Sequence, residues 1–106
     1  MKILSPGHAY ELPNAEPSEV GQLVRFIEKD LVDGSFVTVL NGTTNEEVLM
    51  MLMDRLTYLQ RLLPCQENED ALHRLGEAVF ILEHRTARRK AQGVEGTPSP
   101  HDSTTW

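Results

Sequence analysis

Two apolar stripes separated by a proline constrain this chain more than any other feature. Leu49, Leu52, Leu56, Leu59 and Leu63 recur at alternating spacings of three and four residues, and so do Leu72, Leu75, Val79, Leu82 and Thr86. That period lines each set along one face of an α-helix. Thr44-Asn45-Glu46-Glu47 ahead of the first stripe is a capping box, with Thr44 as N-cap and Glu47 reaching back from the third helical position. Pro64 has no amide to donate and stops the first helix. Asn68 is a suitable N-cap for the second helix, Glu69 and Asp70 put negative charge in its first turn, and Gly93 is a suitable stop. The connection around Cys65 is short, so the two helices must run antiparallel.

The N-terminal part is less regular. Residues 5–17 carry Pro6, Gly7, Pro13, Asn14 and Pro17, which predicts irregular backbone. Ser35 to Leu40 reads as a strand because Phe36-Val37-Thr38-Val39 is aromatic and β-branched, and Asp33-Gly34 just before it is a favoured turn pair. Residues 20–31 fit two readings. Val20, Leu23, Val24, Ile27 and Leu31 suit a helical face, whereas Gln22 to Glu28 suits a strand; a β-hairpin with Ser35–Leu40 is preferred. The expected class is α+β: an N-terminal irregular segment and a short β-hairpin, followed by an antiparallel helical hairpin. A single domain is expected over residues 1–94. Residues 95–106 are expected to be an extended C-terminal tail, because Gly96, Pro98, Pro100 and the neighbouring Ser and Thr residues offer little to a core.

A chain of 106 residues buries only a modest core of its own. Val48, Met51, Tyr58 and Leu62 on the first helix, and Phe80 and Ile81 on the second, lie outside the seam. They either cover the β-hairpin or form a subunit interface, where Met and aromatic residues are enriched. A homo-oligomer, dimer or hexamer, is expected. The net charge of −6 argues against DNA or RNA polymers as partners, which call for a basic footprint. One cysteine makes no internal disulfide, so a reducing cytoplasm is expected. No apolar leader and no run approaching a membrane span are seen, so no membrane partner is expected.

Catalytic constellations are nearly absent. There is no glycine-rich phosphate loop and no supported Ser-His-Asp set. Cys65 beside Pro64 reads as a structural thiol, and His8, His73, His84 and His101 show no paired metal spacing. His73 and Glu77, one turn apart, read as a solvated pair. No cofactor, no metal site and no enzymatic activity are expected. The basic cluster says more. Arg85, Arg88, Arg89 and Lys90 crowd the end of the second helix, with Arg85, Arg88 and Arg89 spaced to share one face and Arg74 three turns up it. Like charges at this spacing disfavour a helix by a few tenths of a kcal/mol. Such a cluster either pairs with acids or decorates the cationic helix end, or it serves phosphate groups, which guanidinium binds bidentately. Thr43, Thr44 and Asn45 open the first helix, where free N–H groups and hydroxyls suit an anion, although capping alone accounts for Thr44. Tyr10, in an irregular stretch, is either a packing anchor or a stacking platform for a base. The candidate ligand-binding set is therefore Tyr10, Thr43, Thr44, Asn45, Arg74, Arg85, Arg88 and Arg89.

Taken together, several stretches resemble small bacteriophage proteins with the hairpin domain of the anti-CBASS and Thoeris anti-defence sponges. They are Gly7-His8-Ala9-Tyr10-Glu11-Leu12-Pro13-Asn14, Asn41-Gly42-Thr43-Thr44-Asn45-Glu46-Glu47-Val48-Leu49, Asp54-Arg55-Leu56, Pro64-Cys65 with Glu67-Asn68, and Arg85-Thr86 leading to Gly93-Val94-Glu95-Gly96-Thr97. The resemblance implies a homo-oligomer in the host cytoplasm that binds a cyclic oligonucleotide or a cyclic ADP-ribose-type immune messenger and sequesters it uncleaved. Gln66 stands where that pattern has Arg, and Glu69-Asp70 where it has Ser-Leu. Two added carboxylates and a lost guanidinium disfavour an anion pocket at the hairpin turn. The alternative reading is a small helical-hairpin module that binds a host or phage protein through its spare apolar residues. A phosphodiesterase is a poor third, since no metal or general-base set appears.

Overall fold

The computed structural model describes residues 1–104, which fall into two compact units divided between Thr44 and Asn45. In the first unit, β1 (Lys2–Ser5), β2 (Ala9–Leu12) and β3 (Gln22–Arg25) form an antiparallel sheet in the order β1-β2-β3. The stretch expected to be irregular thus holds a central strand. Its flanking Pro and Gly residues occupy the turns, and four residues suffice for pairing on both edges. Ala9, in that strand, is 1% exposed and is the buried apolar residue among the described residues.

The second sheet is a two-stranded hairpin of β4 (Glu28–Val32) and β5 (Ser35–Leu40). The Ser35–Leu40 strand is where the sequence placed it, but its partner is Glu28–Val32 and not Gln22–Glu28. The apolar run from Leu23 to Leu31 is two strands with a break at Phe26-Ile27, and the helical alternative does not occur. The break has a cause. Thr43 donates from its N–H to Arg25 O (2.9 Å) and accepts from Ile27 N–H (2.9 Å), while Phe26 N–H donates to His8 O (2.7 Å), so the chain changes partners here. Asp33 (φ 50°) and Gly34 (φ 80°) form the two-residue turn between Val32 and Ser35. Positive φ at both positions is the geometry that matches strand twist in short hairpins.

In the second unit, α1 (Asn45–Leu62) and α2 (Gln66–Ala91) pack as the expected hairpin. α1 begins directly after Thr44 and ends before Pro64. α2 begins two residues ahead of Asn68; Cys65 occupies the N-cap position, extended and without a side-chain cap bond. Along α1, half-buried positions include Leu49, Met53, Leu56 and Gln60, while Leu52 and Leu63 are exposed. The stripe drifts because a straight helix turns in 3.6 residues and not 3.5. Gly76 faces Met53 across the hairpin: a Cβ there would meet the Met53 methyl at 3.6 Å, an ordinary packing distance. Among the described residues, no helix is long and apolar enough to cross a membrane.

α2 closes with Gly93 (φ 72°), the expected stop. Gly93 N–H donates to Lys90 O (3.1 Å) and Val94 N–H to Arg89 O (3.0 Å). This paired cap needs a left-handed residue, which glycine supplies without a Cβ clash. The chain after it turns back over the helix end.

Candidate functional site

The arginine end of α2 is the best-organised polar region among the described residues. The sequence puts Arg85, Arg88 and Arg89 on one helical face, but the fold gives them different surroundings. Arg85 is exposed, with no ion-pair partner among the described residues. Arg88 is half-buried and donates from Nη1 to the Ser103 carbonyl. Arg89 is 7% exposed, the buried charged residue among the described residues.

Residues 94–103 wrap Arg89. Its Nη2 donates to Val94 O (2.8 Å) and Thr97 O (2.8 Å), and its Nη1 to Ser99 O (3.0 Å). Nη1 also lies 3.3 Å from His101 Nδ1, and Nε lies 3.3 Å from Glu95 Oε2. A guanidinium has five N–H donors, and here each nitrogen faces an acceptor. Burying such a charge is tolerable only when it is paired in this way. Thr97 curls the segment by donating from Oγ1 to Val94 O (2.6 Å). Gln92 pins its far end: its side-chain N–H donates to Asp102 O (2.9 Å), and Asp102 N–H donates to Gln92 Oε1 (2.8 Å). With the segment in this position, every Arg89 nitrogen faces an acceptor on residues 94–101. Residues 105 and 106 of the expected tail lie outside the described residues.

Arg74, further up α2, has an acidic neighbour. It is exposed and shares Glu77 Oε1 (2.9 Å) with His73 Nε2 (3.0 Å), a solvated cluster. Screening by water makes such pairs worth little. Beside it, Leu72, Gly76, Phe80 and Ile81 line a shallow groove. Phe80 stacks on His84 with ring centroids 5.6 Å apart, yet stays 67% exposed, and Ile81 is 62% exposed. Among the described residues no cluster of His, Cys, Asp or Glu has the makings of a metal site.

The remaining candidates flank the unit boundary or lie in the first unit. Tyr10 is in β2, half-buried, with its ring edge-on to Phe26 at 6.0 Å and 83°. That contact makes it a packing residue, whereas an irregular stretch was expected. Thr43 is tied by its backbone to Arg25 and Ile27, which leaves its hydroxyl as the group with chemistry to offer. Ahead of it, a Cβ at Gly42 would sit 2.5 Å from the Phe26 carbonyl carbon, so this loop needs glycine to close against the strand break. Thr44 and Asn45 are exposed at the start of α1, where N–H groups converge.

The residues that sequence reasoning missed are Gln92 and His101, together with the carbonyls of Val94, Thr97 and Ser99. Counting acids in the tail finds Glu95 and Asp102 but not main-chain oxygens, which hold most of Arg89. The usable signal was Gly93 and Gly96 bracketing a short stretch before Thr97, a pattern of a curled and not an extended chain.

No protein-family profile matches the chain. The chain is similar to Thoeris anti-defense 1 of Bacillus phage SBSphiJ7. The two are 45% identical over 58 residues, a stretch that covers 54% of this chain and 41% of that protein. The chain thus matches less than half the length of this relative. The resemblance to phage anti-Thoeris proteins suggested by the motifs holds across that stretch.

Proposed function

We propose that this protein is a phage anti-defence protein that acts in the host cytoplasm, binding a cyclic nucleotide immune messenger and sequestering it without cleavage. The similarity to Thoeris anti-defense 1 carries this reading. Arg85, exposed and without a partner among the described residues, is its first phosphate contact, and Arg88 beside it the second. Thr43, Thr44 and Asn45 at the start of α1 are the next anion candidate, since the N-terminal end of a helix favours negative charge. Homo-oligomerisation belongs to the same reading. Six large apolar residues of the β4–β5 hairpin are exposed (Leu31, Val32, Phe36, Val37, Val39 and Leu40), as are Phe80 and Ile81 of α2, and association would bury them.

A thermal-shift screen against cyclic dinucleotides, cyclic trinucleotides and cyclic ADP-ribose isomers tests it. The expected result is a large upward shift with one class, followed by recovery of intact ligand after heat denaturation. Ligand linearised over multiple turnovers would overturn sequestration. The exposed α2 groove favours a second reading, a module that docks a host or phage protein. Absence of any shift would favour that module.

A further inference from the structure

The segment after α2 looks like a tail in sequence, yet it surrounds the buried Arg89 guanidinium. Its own attachment is almost wholly polar. Pro98, Ser99 and Pro100 are exposed, and Val94, Thr97 and His101 are only half-buried. What holds it is the Arg89 guanidinium at one end, and the Gln92–Asp102 pair with the Arg88 bond to the Ser103 carbonyl at the other. Charged hydrogen bonds are directional and strong when dry, but they are exchangeable with a better acceptor.

We propose that residues 94–103 are an intramolecular strap latched on Arg89, and that the strap competes with phosphate-type anions for that guanidinium. The acceptors now around Arg89 are neutral carbonyls, a histidine nitrogen and one carboxylate, Glu95, whose side chain is itself partly exposed. A phosphate oxyanion is a stronger partner for guanidinium than a neutral carbonyl. Both cannot be accommodated, because all three Arg89 nitrogens already face strap acceptors. Anion capture at Arg89 therefore requires the strap to open, and strap closure returns Arg89 to the strap's carbonyls and the Glu95 carboxylate. The device lowers apparent anion affinity by the fraction of time the strap is open: a strap open about one part in a hundred weakens binding about 100-fold. It rests on the geometry alone and holds whether or not the chain captures a cyclic nucleotide.

Amide hydrogen exchange on the full chain reads the latch directly. Thr97 N–H donates to Val94 O (3.1 Å) and Asp102 N–H to Gln92 Oε1 (2.8 Å), so both report closure. Arg89→Ala is expected to speed exchange at both amides about tenfold or more while mid-helix amides of α1 and α2 stay protected. Where Arg89→Ala does not fold, Glu95→Gln is the second variant, expected to speed the same amides about threefold. Sodium pyrophosphate, compared with sodium chloride at equal ionic strength, is expected to speed them in the wild type and to have no further effect in Arg89→Ala. Unchanged strap protection in the folded variant would overturn the latch. Equal exchange in pyrophosphate and chloride would overturn the competition.

Discussion

The strap and the β4–β5 hairpin invert each other. By composition the strap is a loose tail and the hairpin a packed element, since Phe36, Val37, Val39 and Leu40 are among the best strand formers. In the fold, the strap closes around a buried guanidinium, whereas every residue of β5 is exposed. Satisfying polar groups and burying apolar ones are separate requirements, and a chain can meet the first within itself while leaving the second to association. A two-stranded hairpin without a covered face is marginal in water. Its apolar residues lie on both faces: Phe36 on one and Val37 on the other by strand alternation, with a register shift between Glu28 and Lys29 that skips Val39 and pairs Leu40 with Glu28.

The largest expected effect breaks or confirms that inversion. Light scattering at micromolar concentration is expected to give at least twice the chain mass of 12.0 kDa. Val37→Asp combined with Val39→Asp is expected to lower that mass while leaving helical circular dichroism in place. Losing the burial of two valines removes about 3–5 kcal/mol, or roughly 100- to 4,000-fold in association. A wild-type mass of one chain would mean that the hairpin is bare in solution, and the contrast with the strap would lose its meaning.

The next effect separates two arginines one turn apart. Arg85→Ala is expected to weaken binding of whichever cyclic nucleotide the thermal screen selects by about 10- to 150-fold, the worth of a charged hydrogen bond of about 1.5–3 kcal/mol, with the melting temperature unchanged. Arg88→Ala is expected to act in the same direction and also to loosen the strap, because its Nη1 already holds Ser103 O. Calorimetry with circular dichroism on each variant checks both. Wild-type affinity in the two would move the site to Thr43-Thr44-Asn45.

Which parts were readable follows from where the information lies. Both helices, the Pro64 stop, the Gly93 cap and the Ser35–Leu40 strand were legible because period, caps and turn residues are written in side chains. The strand Ala9–Leu12 was not, since its flanking Pro and Gly residues mask four pairing residues. The break at Phe26-Ile27 was hidden as well: it depends on Thr43 backbone groups seventeen residues downstream of Phe26, and nothing local marks it. For the site, the arginine cluster was visible but its division was not. Helical spacing makes Arg85 and Arg89 equivalent, and only carbonyls contributed by a later segment separate them.

The smallest expected effect compares the two turns that set up these regions. Gly34 opens β5 and Gly93 opens the strap; their φ values are 80° and 72°, and a Cβ at either would meet nothing within 4 Å. Alanine at each therefore tests conformation without a steric clash, at about 1 kcal/mol for a left-handed L-residue. If the hairpin belongs to the cooperative assembly, Gly34→Ala lowers the melting temperature by roughly 4–8 °C, the shift that energy produces in a domain of this size. Gly93→Ala perturbs a segment held by polar contacts outside any core, so its effect stays local: faster exchange at Thr97 and Asp102 with a melting temperature close to wild type. Calorimetric scans of both variants beside exchange at those two amides decide the matter. An equal loss of melting temperature in the two would show that the strap is a cooperative part of the fold, and the separation between polar closure and apolar association would fail at that point.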